Sequence, residues 1–194
     1  MLSQVPNGFF SDEASSGYDA YSILLTANDR YGNFLPLLFM SFNDYIPPIF
    51  NYSLVLPVFL FGLNEFSVRI MAAFFGVLTV VFTYFLTRKI FDEKTALFAS
   101  LFLAVSPWHT QLSRYGGPAI TLPLFFIAGL YFLYKGLNEK RYIILGGIFF
   151  GLCFYTYATA KLFIPLILLG FLIIYRRRLL DKKKEIFIGL ILFL

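Results

Sequence analysis

FSVRIMAAFFGVLTVVFTYFLT, residues Phe66 to Thr87, is an unbroken apolar run whose only charge is Arg69. At a rise of about 1.5 Å per residue, a helix of that length crosses a hydrocarbon core of about 30 Å, so the run reads as a full membrane span. The rest of the chain agrees. Of its 194 residues 59% are hydrophobic and 14% charged, with 26 Phe and 13 Tyr, whereas soluble domains carry about a quarter charged residues. This excludes an ordinary soluble domain and predicts an all-α, polytopic transmembrane helical protein. The net charge of +5 implies no nucleic-acid partner, because the basic residues gather at the ends of apolar runs, where they act as topology signals. Cys153, the single cysteine, lies inside an apolar stretch; it rules out an intrachain disulfide and leaves the redox compartment open.

On the amino-terminal side the chain is polar. Residues 8–29 (GFFSDEASSGYDAYSILLTAND) set Asp12 beside Glu13, followed by Tyr18, Tyr21 and Leu25 at helical spacing. The pattern predicts a short amphipathic helix over residues 11–28 with Ser11 as N-cap and both acids in its first turn. Residues 28–33 read as a turn, residues 34–42 as a short apolar segment, and Pro47-Pro48 as a break before the next helix. Residues 49–61 are interrupted by Asn51 and Pro57 and cover only about 20 Å. An interfacial or re-entrant helix fits them better than a crossing. The expected division is therefore residues 1–65, a loop region with two interfacial helices, and residues 66–194, a transmembrane helical region.

On the carboxyl-terminal side, a charged loop at 88–94 precedes a second expected span, from Ala96 through Ser106 into Pro107-Trp108-His109. A third runs from Pro118 to about Tyr134, and a charged turn at 135–141 leads into a helical pair, 142–157 and 162–175, joined at 158–161. Gly146, Gly147 and Gly151 lie inside this pair and suggest close helix contact. RRRLLDKKK (176–184) then precedes an apolar run, 186–194, too short to cross. Met1 to Phe10 lacks the pattern of a signal peptide. The two ends together predict a piece of a longer protein, with a helix before Met1 and more after Leu194.

Twelve of the 16 Lys and Arg residues fall in the loops 88–94, 135–141 and 176–184, leaving Arg30, Arg69, Arg114 and Lys161. With alternating spans these three loops are cytoplasmic. Asp12, Glu13, Asp44, His109, Arg114 and Lys161 then share the external face. Carboxylates there can serve as general bases or hold a divalent cation, and sparse cations at a membrane surface suit a phosphate head group. The combination points to group transfer from a lipid phosphate. One carboxylate takes the proton from an acceptor hydroxyl, and a single displacement inverts the anomeric carbon.

The order DExxxxYDAYxxL, DRYG, DYxPP, LFGLNEFSVRIMAAxFGVLTV and SPWHxQLSR resembles the membrane glycosyltransferases of the GT-C superfamily. Within it the chain is most similar to the group of dolichyl-phosphate-mannose protein mannosyltransferases and aminoarabinose transferases (RgtA/B/C/D-like). The resemblance covers about residues 8–178 and implies a polyprenyl-phosphate-linked sugar donor, an acceptor hydroxyl on a glycan, lipid or protein, and an external catalytic loop. It implies Asp12 as the catalytic base, Glu13 as its acidic neighbour, Tyr18 as a looser aromatic match, and Pro47-Pro48 as the start of the second interfacial helix. Aminoarabinose transferases carry a lysine just before the prolines, where it meets the lipid phosphate. Ile46 stands there in this chain, which argues against aminoarabinose transfer and leaves Arg114 or Lys161 to take that part.

Each of these residues also has a plainer role. Acids in a first helical turn complement the helix dipole, which would suffice for Asp12, and Glu13 could be a solvent-facing charge. Asp44 could be a turn residue, His109 an aromatic-belt residue, and Arg114 and Lys161 snorkelling cations. Arg69, one turn after Glu65, reads as a local ion pair. The expectation is a glycosyltransferase of a bacterial or archaeal plasma membrane. No cofactor is assigned, and a divalent cation on Asp12, Glu13 and Asp44 is compatible with it. The rival is a transporter or non-catalytic membrane scaffold. Against it, no complete span between Phe66 and Tyr175 carries an acid in its middle.

Overall fold

A computed structural model describes residues 8–41 and 44–179, together with Gly189. The final apolar run (186–194, apart from Gly189), the basic segment beyond Leu179 and residues 1–7 lie outside the described residues. The architecture is helical: α1 (Ser11–Thr26), α2 (Pro48–Phe61), α3 (Glu65–Ile90), α4 (Glu93–Val105), α5 (Pro107–Arg114), α6 (Thr121–Gly136), α7 (Arg141–Cys153) and α8 (Ala160–Leu179). A two-stranded antiparallel ribbon, unforeseen in the sequence, pairs β1 (Phe39–Ser41) with β2 (Asp44–Ile46) in the register Phe39 to Ile46.

The chain divides into two compact units, Met1–Leu78 with Ala104–Thr121, and Thr79–Leu103 with Leu122–Leu194. In the first, α1 packs on α2. Ser16, Gly17 and Ala20 are buried at helical spacing, while Tyr18, Tyr21 and Leu25 are exposed. The expected amphipathic helix exists, but its aromatic stripe faces outward, because the close approach of neighbouring helices admits only small side chains. A Cβ added at Gly17 would stand 2.8 Å from Val68 Cγ2 of α3. The N-cap is Phe10, not Ser11, and its N–H donates to the Glu13 carboxylate at 3.0 Å. The expected turn at 28–33 is present. The Asp29 carboxylate accepts the Tyr31 and Asn33 amides, and Gly32 takes φ +87°.

Proline punctuation sets the next boundaries. Pro47 caps α2 and Pro48 opens it, as a ring with fixed φ and no N–H favours. The 14 residues of α2 rise about 21 Å, short of a crossing. α3 has 26 residues and is a span-length helix, as is Pro118–Gly136, which joins a short 3-10 turn to α6. The second expected span is corrected. Ser106 is extended (φ −62°, ψ 125°) ahead of Pro107, so the chain forms a 13-residue α4 and a separate eight-residue α5. The proline ring disfavours helical backbone at the residue before it.

The second unit has its own core, in which Leu133, Ile143, Phe150, Cys153, Ala160 and Ile164 are buried together. The helical pair is α7 and α8, with the connection at 154–159 rather than 158–161. A Cβ at Gly146 would meet Leu133 Cδ2 at 2.7 Å, so this glycine serves close helix contact. Long apolar faces remain uncovered: Leu97, Phe98, Leu101, Phe102 and Val105 on α4, and Leu162, Leu166, Leu169 and Ile173 on α8. Acyl chains cover such faces in a bilayer, and water would leave them as large apolar patches. This is an integral membrane protein.

Candidate functional site

α1 presents its two adjacent acids in opposite ways. Glu13 is wholly buried and forms a two-pronged pair with Arg69 of α3: Nε to Oε1 at 2.8 Å and Nη2 to Oε2 at 2.9 Å, with neither side chain exposed. Arg69 Nη2 also donates to the Gly8 carbonyl at 2.6 Å, and its Nη1 stands 3.6 Å from Glu65. The Gly116 amide donates to Glu13 Oε1 at 2.8 Å. The pair thus ties the start of α1, the first turn of α3 and the loop after α5. Burial alone would push the Glu13 carboxyl up, but Arg69 and the Gly116 and Phe10 amides outweigh it and hold it below its ordinary value of 4.5. An arginine sunk in an apolar helix requires a counter-charge. The local Glu65 pair is present, but the stronger partner comes from 56 residues away.

Asp12 is exposed and accepts one hydrogen bond, from the Tyr115 hydroxyl at 3.3 Å. Burial, then the Asp12 charge, push the Tyr115 phenol up to about 12, so at neutral pH it remains a donor. The Tyr115 ring meets Phe10 edge to face, 5.6 Å between centroids. Both line a cavity of about 820 Å³ together with Val105, Trp108, Gln111 and Arg114. A mostly apolar hollow with a guanidinium on its wall, and with a lining tyrosine whose hydroxyl is bonded to Asp12, can take an amphipathic molecule with an anionic head.

The other residues singled out in the sequence are placed as follows. Tyr18 is six residues from Asp12, about 240° around the helix, and lines a different, smaller cavity with Ser11, Ser15 and Arg30. His109 is buried, with Nε2 3.2 Å from the Gly76 carbonyl and Nδ1 without a hydrogen-bond partner among the described residues. It points into the protein rather than into the cavity that its neighbours Trp108 and Thr110 line. Asp44 is exposed in β2 and accepts the next amide, that of Tyr45, at 2.7 Å. Ile46, at the end of β2, pairs with Phe39. Lys161 is exposed on α8, in the second unit. Among the described residues no three His, Cys, Asp or Glu side chains gather closely enough to hold a metal ion. Of the three acids considered for a cation, Glu13 is already committed to Arg69. The sequence reading missed Tyr115 and Gly116, which carry no signal beyond following a positive charge in a short loop.

The fold has close counterparts among solved structures. ArnT from Cupriavidus metallidurans, in the apo state, superimposes with a TM-score of 0.73 over 93% of this chain and 35% of that one, at 18% identity. The same protein bound to undecaprenyl phosphate gives 0.75 over 94% of this chain and 34% of that one, also at 18% identity. This likeness shows that the chain shares the fold of the corresponding part of ArnT. By sequence, the chain is 34% identical over 96 residues to an uncharacterised protein of Aquifex aeolicus (strain VF5), which is 49% of this chain and 19% of that protein. It is 40% identical over 72 residues to dolichyl-phosphooligosaccharide-protein glycotransferase 2 of Pyrococcus horikoshii, 37% of this chain and 9% of that protein. The matched stretches are thus a fifth or less of the length of these relatives. Residues 46–194, from the last residue of β2 through every later helix, match the dolichyl-phosphate-mannose-protein mannosyltransferase family, and the chain belongs to it.

Proposed function

We propose that the chain is the catalytic-loop portion of a glycosyltransferase that moves a sugar from a polyprenyl-phosphate donor to an acceptor hydroxyl on the external membrane face, with inversion. The observation that carries this reading is the division between the two acids. Glu13 is locked to Arg69, and among the described residues Asp12 is exposed and accepts only the hydroxyl of Tyr115, which lines the cavity. Family membership and the likeness to ArnT, solved with undecaprenyl phosphate, support the donor class.

Asp12 takes the proton from the acceptor O–H as that oxygen bonds to the anomeric carbon. The bond from that carbon to the phosphate oxygen breaks, and polyprenyl phosphate leaves with the electron pair. Phosphate is a good leaving group, so no acid is required on its side. Tyr115 orients the carboxylate, and Arg114 meets the donor phosphate in the cavity. Ile46 supplies no charge there, which fits a sugar other than aminoarabinose. Glu13 and Arg69 shape the loop without touching substrate. The external placement rests on the basic loops 88–94, 135–141 and 176–184 being cytoplasmic, which requires the 13-residue helices α4 and α7 to complete a crossing together with the residues that flank them. A prokaryotic plasma membrane suits this reading.

The test is turnover of a radiolabelled polyprenyl-phosphate sugar by the complete protein in its membrane. Transfer of label to an acceptor with stoichiometric release of polyprenyl phosphate is expected. An intact donor, accompanied by movement of a solute across sealed vesicles, would establish a transporter instead.

A further inference from the structure

The second compact unit carries its arginines at three helix ends, and at two of them the guanidinium has a partner. Arg88, at the end of α3, stands 3.6 Å from Glu93 and over the Tyr84 ring. Arg141, at the start of α7, meets Glu139 at 2.8 Å and the Tyr142 ring, over which Lys135 also lies, 4.1 Å from the centroid. The last turn of α8 differs. Arg176, Arg177 and Arg178 follow one another there, all exposed, and among the described residues none of them has a hydrogen bond, an ion pair or a ring contact. The sequence extends the excess of charge: residues 176–184 hold six cations and one acid, Asp181.

Each of these arginines stands one turn beyond an exposed apolar residue. Leu172, Ile173 and Ile174 precede Arg176, Arg177 and Arg178 at i,i+4 spacing, and Ile174 is 74% exposed. Tyr175, between the two rows, is held by its hydroxyl, 3.0 Å from that of Tyr134 on α6, and by the Phe171 ring. These contacts fix the face that α8 turns outward. Ile173, Ile174, Tyr175 and the three arginines line one hollow of about 770 Å³. Apolar side chains with guanidiniums one turn further along match the two halves of a phospholipid, acyl chain and phosphate. A topology signal or a complement to the helix dipole is served equally by lysine, whereas arginine holds a phosphate through two parallel N–H donors.

We propose that the end of α8 binds the phosphate of an anionic phospholipid of the surrounding leaflet, with the open donors of Arg176, Arg177 and Arg178 as its ligands and Leu172, Ile173 and Ile174 against its acyl chain. On the proposed topology this is the cytoplasmic leaflet. The site lies in the second unit and rests on the membrane character of the chain, not on sugar transfer.

The experiment reads lipid preference at the site itself. In the complete protein, freed of other cysteines, Ile174→Cys carries a fluorescent label. The protein is placed in phosphatidylcholine nanodiscs that receive increasing shares of brominated phosphatidylglycerol or brominated phosphatidylcholine, whose acyl bromines quench the label on contact. Phosphatidylglycerol should quench at a mole fraction lower by about ten-fold or more, since each basic group near the surface raises affinity for an anionic lipid about five-fold. Changing Arg176→Gln, Arg177→Gln and Arg178→Gln together should remove most of that preference. High salt should narrow it in the labelled parent, a check that needs no arginine variant. The same label at Phe102→Cys, an exposed position on α4, should be quenched nearly alike by the two lipids. Equal quenching by both lipids at Ile174→Cys, an undiminished preference in the triple glutamine variant, or the same preference at Phe102→Cys overturns the proposal. So does loss of the preference on adding glycerol 3-phosphate beyond the effect of chloride at equal ionic strength, which would assign the site to a soluble phosphate ester.

Discussion

Removing the Glu13 carboxylate while Arg69 stays would leave a cation without its counter-charge in a fully buried position. Breaking such a pair from one side costs about 3–5 kcal/mol. Glu13→Gln and Arg69→Met should each lower the melting temperature sharply, and the double variant should recover part of the loss, a coupling that a double-mutant cycle in unfolding measurements reads directly. The pair also has a pH signature. The Glu13 carboxyl is held below its ordinary value of 4.5, so its contribution is fully present above that pH and is lost as the pH falls through the folded value. Wild type should therefore lose stability below about pH 4.5 faster than Glu13→Gln, and parallel melting curves across that range would contradict the assignment. Tyr115→Phe, which removes the hydroxyl donated to Asp12, should lower turnover about ten-fold with the melting temperature nearly unchanged. The acidic pair was visible in the sequence as two carboxylates on one helical turn. Their separation into a structural acid and a free one was not, because Glu13 owes its burial to Arg69 and Gly116, 56 and 103 residues away.

α1 is held to α3 by the absence of side chains as much as by their presence. A Cβ at Gly17 would lie 2.8 Å from Val68 Cγ2, and one at Gly116 would lie 2.6 Å from Val68 Cγ1 and 3.1 Å from Glu13 Oε1. Gly17→Ala and Gly116→Ala should each destabilise by about 1–3 kcal/mol, the usual cost of overpacking. Val68→Ala should relieve Gly17→Ala more than it relieves Gly116→Ala, because the second also presses on the buried acid; equal rescue in unfolding measurements would contradict that order. Helix boundaries at prolines were legible: Pro47-Pro48 opens α2, and Pro118 opens the 3-10 turn before α6. Pro107 was read through, as part of one long span, although the backbone preference at Ser106 breaks that span into α4 and α5. Which way Tyr18, Tyr21 and Leu25 face was not legible, because aromatic spacing on a helix predicts a stripe and not which medium covers it. β1 and β2, three residues each, leave too short a pattern to be read.

Across the whole molecule, membrane character was the most legible property, since composition and the run from Phe66 to Thr87 already required it. On the proposed topology, with the three basic loops cytoplasmic, α1 lies outside. A cysteine at Leu25, an exposed position on α1, placed in a Cys153→Ala background, should react with an impermeant thiol reagent in intact cells; labelling only after lysis would reverse the topology. Catalysis by Asp12 is tested most directly by donor-dependent sugar transfer in the complete protein, comparing wild type with Asp12→Asn at matched melting temperature. The expected result is an intact fold with turnover reduced about 10²–10⁴-fold, the usual contribution of a positioned general base. Wild-type turnover in Asp12→Asn would contradict the assignment of Asp12 as the base.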